Sequence, residues 1–341
     1  MMRDHRINKL MNREHLSTKE SYEIFLDMMT GDFSYIQMAS FLTAMALKGE
    51  TKQEILGGAR ALRDKSVSLA NLEDNALDTC GTGGDGKNTI NVSTAAAFIA
   101  ATAGVKIIKH GNRSASSQSG SADVLEEMDI NIHLNADEAR EIYKELGMVF
   151  LFAPLFHPSM KNVAPVRKEL GFRTIFNLLG PLANPAQVKR QVLGVNKEGL
   201  VEIMADSLLS LGIDRAMVVH GLDGLDEISV SGQTLVCEIK NGTKQHYFIH
   251  PSDFQMTTYP LEEIIGHDTK DNKELLYSLL KGFQKGAKAD FLAINAGAAI
   301  YIGGKAETLG QGIHMAQDIL SSGVAYSFLE AYRLATKRYG A

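Results

Sequence analysis

The chain has 341 residues, 45% of them hydrophobic, with 31 glycines and 7 prolines. That composition supports a sizeable core with many tight backbone turns, favours two domains over one, and excludes a disordered chain. A formal net charge of −5 excludes the global basic field that draws nucleic acid, so any phosphate-binding site must be local.

Two cysteines, Cys80 and Cys237, with no Cys-x-x-Cys or Cys/His cluster, argue against a disulfide framework and a zinc motif and for a reducing compartment. The segment MMRDHRINKLMNREH is charged and lacks the apolar stretch of a secretory leader. No apolar run reaches bilayer length. A cytoplasmic location with no membrane partner is therefore expected.

The first sixteen residues fit no readable pattern. From residue 17 to 66 the periodicity is helical. Ser17 or Thr18 precedes the run Tyr22, Phe25, Leu26, Met29, with Glu20 placed to cap it, and Gly31-Asp32 breaks it. A second run covers Ile36 to Leu47 and stops at Gly49. Thr51 opens a third, Ile55 to Leu62. From about residue 76, short apolar runs alternate with helical ones: ALDTC, STAAAFIAATAG, VKIIKHG, a helix near 136–146, MVFLFAP, QVLGV, a helix over 198–211, and AMVVHG. This alternation predicts an α/β fold with a mostly parallel sheet flanked by helices. EISV, TLVCEIK and KQHYFIH read as short strands, with Asn241-Gly242 as a hairpin turn. The chain beyond about 270 reads as helical again. No internal repeat is visible.

Cys80-Gly81-Thr82-Gly83-Gly84-Asp85-Gly86 follows a predicted strand and precedes the helix that begins near Ser93. Successive N–H groups in such a loop, with a helix N-terminus behind them, form an anion-binding concavity. The loop also fits G-x-G-x-x-G. A dinucleotide site, however, wants an acidic residue about 20 positions on, and Lys106-Ile107-Ile108-Lys109 stands there. No Gly-Lys-Ser/Thr makes it a Walker loop. A second polar loop, Lys109 to Asp123, follows the next predicted strand and carries cations, hydroxyls and glycines to the same sheet edge. Asn91 and Ser93, taken alone, would read as ordinary helix caps, but the glycine loop just before them shifts the reading toward the phosphate site. The pair Asp226-Glu227, after AMVVHG, is either an exposed turn or a carboxylate site for a hard cation. His110 and His157 read as hydrogen-bonding histidines rather than proton shuttles, although His110 remains the one weak candidate for acid–base work.

GTGGDG, NVSTAAAF, KHGNRSASS, SGSADVLE, HPSMKNVAPVRKELGFRTIFNLLGPLANPA and GLDE together resemble the anthranilate phosphoribosyltransferase family, in that family's order. KGET at 48–51 is similar too. The resemblance implies a small helical domain over 1–72, rejoined by about 168–190. A larger α/β domain would span 73–167 and 191–341, and the chains would form a homodimer. It implies transfer of phosphoribosyl from phosphoribosyl pyrophosphate to anthranilate, in tryptophan biosynthesis, with two magnesium ions per subunit. By the same resemblance, Gly81, Gly84, Asp85, Thr89, Asn91, Val92, Ser93 and Thr94 hold phosphoribosyl pyrophosphate on one side. Lys109, His110, Gly111, Asn112, Arg113, Ser114, Ala115, Ser116, Ser117 and Ser121 hold it on the other. Gly81, Asn112 and Arg167 contact anthranilate, and Ser93, Asp226 and Glu227 are the metal ligands. Gln118 departs from a usual Lys, Glu127-Met128-Asp129 from Ala-Leu-Gly, and Ile90 from Phe. None of these is a matched ligand. A nucleoside phosphorylase of similar architecture is the nearest rival, set apart by KHGNR and GLDE. An NADP oxidoreductase and a non-catalytic anion-binding relative are the others.

Overall fold

The computed structural model describes residues 4–69, 72, 75–114, 119–266 and 268–340. Four helices open the chain: α1 (His5–Met11), α2 (Thr18–Thr30), α3 (Tyr35–Lys48) and α4 (Lys52–Asp64). The last three begin with reciprocal capping boxes, Ser17 with Glu20, Ser34 with Gln37 and Thr51 with Glu54. Each box satisfies orphan N–H groups at both partners. The short α1 lies in the stretch that showed no pattern. Asp4 caps it through the Arg6 amide, and the Arg6 guanidinium bridges Asp4 to Asp27 on α2, both at 2.6 Å. Leu10 is buried behind it. Tertiary ion pairs rather than periodicity hold that helix.

The α/β part follows as β1 (Leu77–Gly81), α5 (Val92–Thr102), β2 (Ile107–Gly111), α6 (Ser121–Glu127), α7 (Ala136–Leu146) and β3 (Met148–Phe152). Three short helices come next, α8 (Ala153–Phe156), α9 (Ala164–Leu170) and α10 (Phe176–Leu179), then β4 (Arg190–Gly194), α11 (Gly199–Ser210) and β5 (Arg215–Gly221). The hairpin β6 (Thr234–Lys240) and β7 (Thr243–Ile249) precedes α12 (Thr269–Leu280), α13 (Ala287–Ile302), α14 (Leu309–Ser322) and α15 (Val324–Lys337). Asn241 and Gly242 both take positive φ at the hairpin tip, as a two-residue turn of matching twist requires. The expected strand at EISV does not form. Residues 227–230 run as an irregular segment, where Asn295 of α13 exchanges hydrogen bonds with both backbone groups of Ile228. A side chain there takes the place of a strand neighbour.

The seven strands are ordered β3-β2-β1-β4-β5-β6-β7, parallel through β5 and antiparallel beyond it. The chain builds outward from β1 to β2 and β3, then returns to β4 on the other side. The β1/β4 junction is thus a switch point, where crevices open at the carboxyl ends of strands. Alternate residues feed different cores. On β5, Met217 and Val219 join one cluster, with α5 and α13, while Ala216 and Val218 join the other. That second cluster runs through α11 into α2, α3, α4 and residues 163–183. The period-two alternation of strand side chains therefore sends one sheet face to the helical N-terminus.

Strand β3 is an edge, and its outward groups need a cover. The Phe150 amide donates to the Tyr332 hydroxyl of α15 at 2.9 Å, and Tyr332 is fully buried. Tyr332→Phe should strand that donor and cost about 1–3 kcal/mol in urea unfolding. Unchanged stability would mean that Phe150 finds another acceptor.

Candidate active site

A cleft of about 360 Å³ opens at the carboxyl ends of β1 and β2. It gathers Gly81, Gly84, Asp85, Thr89, Asn91, Val92, Ser93, Thr94, Lys109, His110, Gly111, Asn112, Arg113, Ser114, Ser121, Arg167, Asp226 and Glu227. Every sequence-expected site residue among the described residues lines it. Ala115, Ser116 and Ser117 lie outside the described residues.

The glycine loop leaves β1 at Gly81. Its Thr82 amide extends the strand to the Gly194 carbonyl, and its Gly83 amide donates to the Asp226 carboxylate at 2.6 Å. Among the described residues, no acceptor meets the N–H groups of Gly84, Asp85 or Gly86. Three unspent donors in a row are what an anion needs. The loop bearing Asp226 presses on the strand ends. A Cβ at Gly194 would lie 1.5 Å from the Asp226 carbonyl, and one at Gly81 would lie 2.3 Å from its carboxylate. Only glycine admits so close an approach.

At the following helix, Asn91 occupies the N-cap position but makes no capping bond. Its side chain instead donates to the Ser119 carbonyl at 3.0 Å, tying α5 to the second loop. Asn91 is therefore not an ordinary cap. Thr94 is 2% exposed, and its buried hydroxyl has no partner among the described residues. Such a buried polar atom costs free energy until a ligand oxygen meets it.

On β2, Lys109 is buried, and its ammonium donates to the Thr79 carbonyl and, at 3.5 Å, to Ser93 Oγ. Asp78 lies nearby with its carboxylate accepting from Asn184 at 2.9 Å. Burial pushes Asp78 up to about 6, against the pull of Lys109 and its hydrogen bonds. The second loop is clipped at its base, because Asp123 accepts from the amides of both Ser114 and Gly120 at 2.9 Å. Arg113 lines the cleft, yet its guanidinium is engaged by Glu126 and Asp123. It offers less to a phosphate than its position in KHGNR suggests.

The rings of the two histidines pack in a tilted arrangement, 58° between their planes and 5.0 Å between their centroids. His157 bonds the Ala183 carbonyl at 3.0 Å, and burial lowers it to about 4. Burial, with His157 beside it, holds His110 well below the usual histidine range. Both are neutral at pH 7, which suits packing and hydrogen bonding.

Burial first, then the charge of Asp85, pushes Asp226 up to about 6. Burial and the charge of Asp226 push Glu227 well above the usual carboxylate range. Raised carboxylates, with the Ser93 hydroxyl lining the same cleft, suit a hard divalent cation such as magnesium, which would relieve that repulsion. Across the cleft, Arg167 lies 5.2 Å from the centroid of Phe176. Its guanidinium finds no acceptor among the described residues, and an unpaired fork of donors matches a planar carboxylate.

The sequence matches two family models, described as "Glycosyl transferase family, helical bundle domain" over residues 5–66 and "Glycosyl transferase family, a/b domain" over residues 73–326. It is 49% identical to the anthranilate phosphoribosyltransferase of Caldanaerobacter subterraneus subsp. tengcongensis, over 95% of this chain and 96% of that protein. The chain belongs to the anthranilate phosphoribosyltransferase family. A solved family member from Thermus thermophilus superposes with a TM-score of 0.91 at 42% identity, covering 97% of this chain and 99% of that one. The Saccharomyces cerevisiae enzyme is 28% identical and covers 98% of this chain and 97% of its own. It superposes with TM-scores of 0.89 in complex with PRPP and Mg and 0.87 in complex with 4-fluoroanthranilate.

Some cleft residues escaped the sequence reading. Arg173 lies within the matched GFRTIFN run but carried no separate signal. It lines the cleft and donates to the Thr82 and Gly83 carbonyls. Asn196, just past β4, donates to the Gly84 carbonyl at 3.1 Å. Asn177, Gly180 and Pro181, from the same stretch as Arg173, complete that wall.

Proposed function

We propose that this protein transfers the phosphoribosyl group of phosphoribosyl pyrophosphate to the amine of anthranilate. The products are N-(5-phosphoribosyl)anthranilate and pyrophosphate, in tryptophan biosynthesis. One observation carries this reading. A single cleft brings unspent amides and an unpaired buried hydroxyl on one wall together with buried carboxylates and an unpaired guanidinium on others, in a chain 49% identical to a family member.

The roles follow from the chemistry of the groups. Gly84 and Asp85 amides, Thr89, and Asn91 to Thr94 receive the pyrophosphate. Lys109 to Ser114, with Ser121, form the opposite wall. Arg167 orients the anthranilate carboxylate, with Asn112 and Gly81 near the ring. Ser93, Asp226 and Glu227 would hold magnesium, two ions per subunit. When bound, magnesium neutralises charge on the leaving pyrophosphate. The protein's amides stabilise the same developing charge as the bond to ribose loosens. The aromatic amine is nucleophilic as it stands, so the neutral His110 is not needed as a base, and positioning supplies much of the acceleration.

The division into a helical body over 1–72 with 168–190, and an α/β body for the rest, belongs to this proposal. So does a homodimer. Ile36 and Leu47, about three turns apart, share one face of α3. Ile36 is 81% exposed and Leu47 84%, and large apolar side chains so placed on one helix face seek a partner. No helix among the described residues is long and apolar enough to cross a membrane, and a cytoplasmic location is proposed with the rest.

The reading is tested by following anthranilate fluorescence after adding phosphoribosyl pyrophosphate and magnesium, with pyrophosphate quantified. Matched loss of fluorescence and release of pyrophosphate, abolished by chelation, is expected. A folded protein that leaves anthranilate untouched would sink the assignment. In the same assay Arg167→Ala should raise the anthranilate KM by about 10- to 100-fold, from loss of about 1.5–3 kcal/mol of charged hydrogen bonding; an unchanged KM would remove Arg167 from the acceptor site. A pH effect follows from Asp226, whose value is raised from 3.8 to about 6. The proton must leave before the cation binds, so affinity falls as pH drops through that value. Manganese binding by the protein, read by electron paramagnetic resonance, should be roughly tenfold weaker at pH 5 than at pH 7; a flat profile would place the cation elsewhere. Sedimentation at micromolar concentration should report twice the chain mass of 37.2 kDa, and a single-chain mass would refute the dimer.

A further inference from the structure

Arg173 sits where the segment between α9 and α10 crosses the glycine loop, and it spends its donors on backbone rather than on an acid. Nη1 donates to the Gly83 carbonyl, and Nη2 donates to the Thr82 carbonyl at 3.1 Å. Asn196, from the far side of β1 at the end of β4, donates to the next carbonyl, that of Gly84, at 3.1 Å. Three consecutive carbonyls of one loop are therefore held by two side chains from distant parts of the chain.

The consequence follows from peptide geometry. In a trans peptide the C=O of one residue and the N–H of the next point in opposite directions across one plane. No cis peptide occurs among the described residues. Holding the Thr82 carbonyl turns the Gly83 N–H the other way, and that N–H is the one bonded to Asp226 at 2.6 Å. Holding the Gly83 carbonyl turns the Gly84 N–H away from Arg173. Holding the Gly84 carbonyl on Asn196 likewise turns the Asp85 N–H. These last two are among the donors that find no acceptor among the described residues. Gly84 is suited to this arrangement twice over. Its φ is +69°, and a Cβ there would lie 1.5 Å from Arg173 Nη1. Any other residue would push the guanidinium off the loop.

We infer that Arg173 and Asn196 are positioning residues that clamp the carbonyls of Thr82, Gly83 and Gly84 and so aim the loop's N–H groups at the pyrophosphate of the donor substrate. Without the clamp, a loop containing Gly81, Gly83, Gly84 and Gly86 has many conformations to choose among. It would give up ordering entropy on each binding event. The clamp has set the amides before the substrate arrives. Arg173 also lies near Asp226, Asp85 and Glu50, which keeps a cation at the loop when no metal balances those acids.

This inference rests on the phosphoribosyl-transfer reading, and the test separates the two. Steady-state KM values for both substrates, and calorimetric affinity for phosphoribosyl pyrophosphate with magnesium, are measured for wild type, Arg173→Ala, Arg173→Lys and Asn196→Ala. Melting temperatures are recorded in parallel. Both alanine variants should raise the donor KM about tenfold or more and weaken donor binding to match, while the anthranilate KM stays within twofold. Arg173→Lys, with one point of contact in place of a fork, should recover part of the loss. A folded Arg173→Ala with unchanged donor affinity would overturn the clamp. So would a loss in Arg173→Ala with none in Asn196→Ala, which would make Arg173 a direct ligand instead. If Arg173→Ala does not fold, Asn196→Ala and Arg173→Lys carry the same decision. Wild type that neither binds the donor nor turns over fails the transfer reading itself.

Discussion

The cleft depends on how closely one loop lies against two strand ends. The backbone of Asp226 approaches β4 so nearly that a methyl group at Gly194 would overlap its carbonyl, and its carboxylate meets β1 at Gly81. This contact does three things at once. It removes Asp226 from water, which raises its proton affinity. It brings the carboxylate within 2.6 Å of the Gly83 amide, and so joins the metal-side acids to the phosphate-side loop. It also sets Glu227, the next residue, beside the same cleft. Glycine at both strand ends is the condition for all three.

The strand order puts this contact at the right place. Chain growth reverses direction at β1, so a crevice opens outside the paired ends of β1 and β4 instead of being covered by a crossover helix. The two faces of the sheet then divide the labour of packing. One face buries α5 and α13, whose small residues lie close to the strands. The other carries α11 and, through it, α2 to α4. The helical N-terminus shares a core with the sheet. Residues 163–183, in that same core, bring Arg167, Arg173 and Phe176 to the cleft.

The electrostatics are consistent with that design. Asp85, Asp226 and Glu227 concentrate negative charge at one end, with Lys109 buried behind them and Arg167 free at another wall. Asp85 makes Asp226 harder to ionise, and Asp226 does the same to Glu227. A divalent cation relieves that strain directly, whereas burial of one more carboxylate would add to it. The two neutral histidines are packed as a pair, with His157 bonded to the Ala183 carbonyl.

Much of this was legible in the residues themselves. Capping boxes, strand–helix alternation and the Asn241-Gly242 turn are local signals, since each depends on groups a few positions apart. The two polar loops were legible because glycines and hydroxyls at strand ends have few structural uses. Three features were not. The helix α1 is seven residues long and is held by an ion pair to Asp27 on another helix. EISV has strand composition, but Asn295, 67 residues further on, supplies the hydrogen bonds a strand neighbour would have made. Arg173 and Asn196 are ordinary polar residues until the fold lays them on the carbonyls of Thr82, Gly83 and Gly84. The sequence alone determined the kinds of chemistry available: amides for anions, oxygen ligands for a hard cation, a guanidinium for a carboxylate. Only the tertiary structure decided which of those groups remain unspent. Whether a donor or a charge is free depends on what lies within about 3 Å of it, and that is set by contacts between residues far apart in the chain.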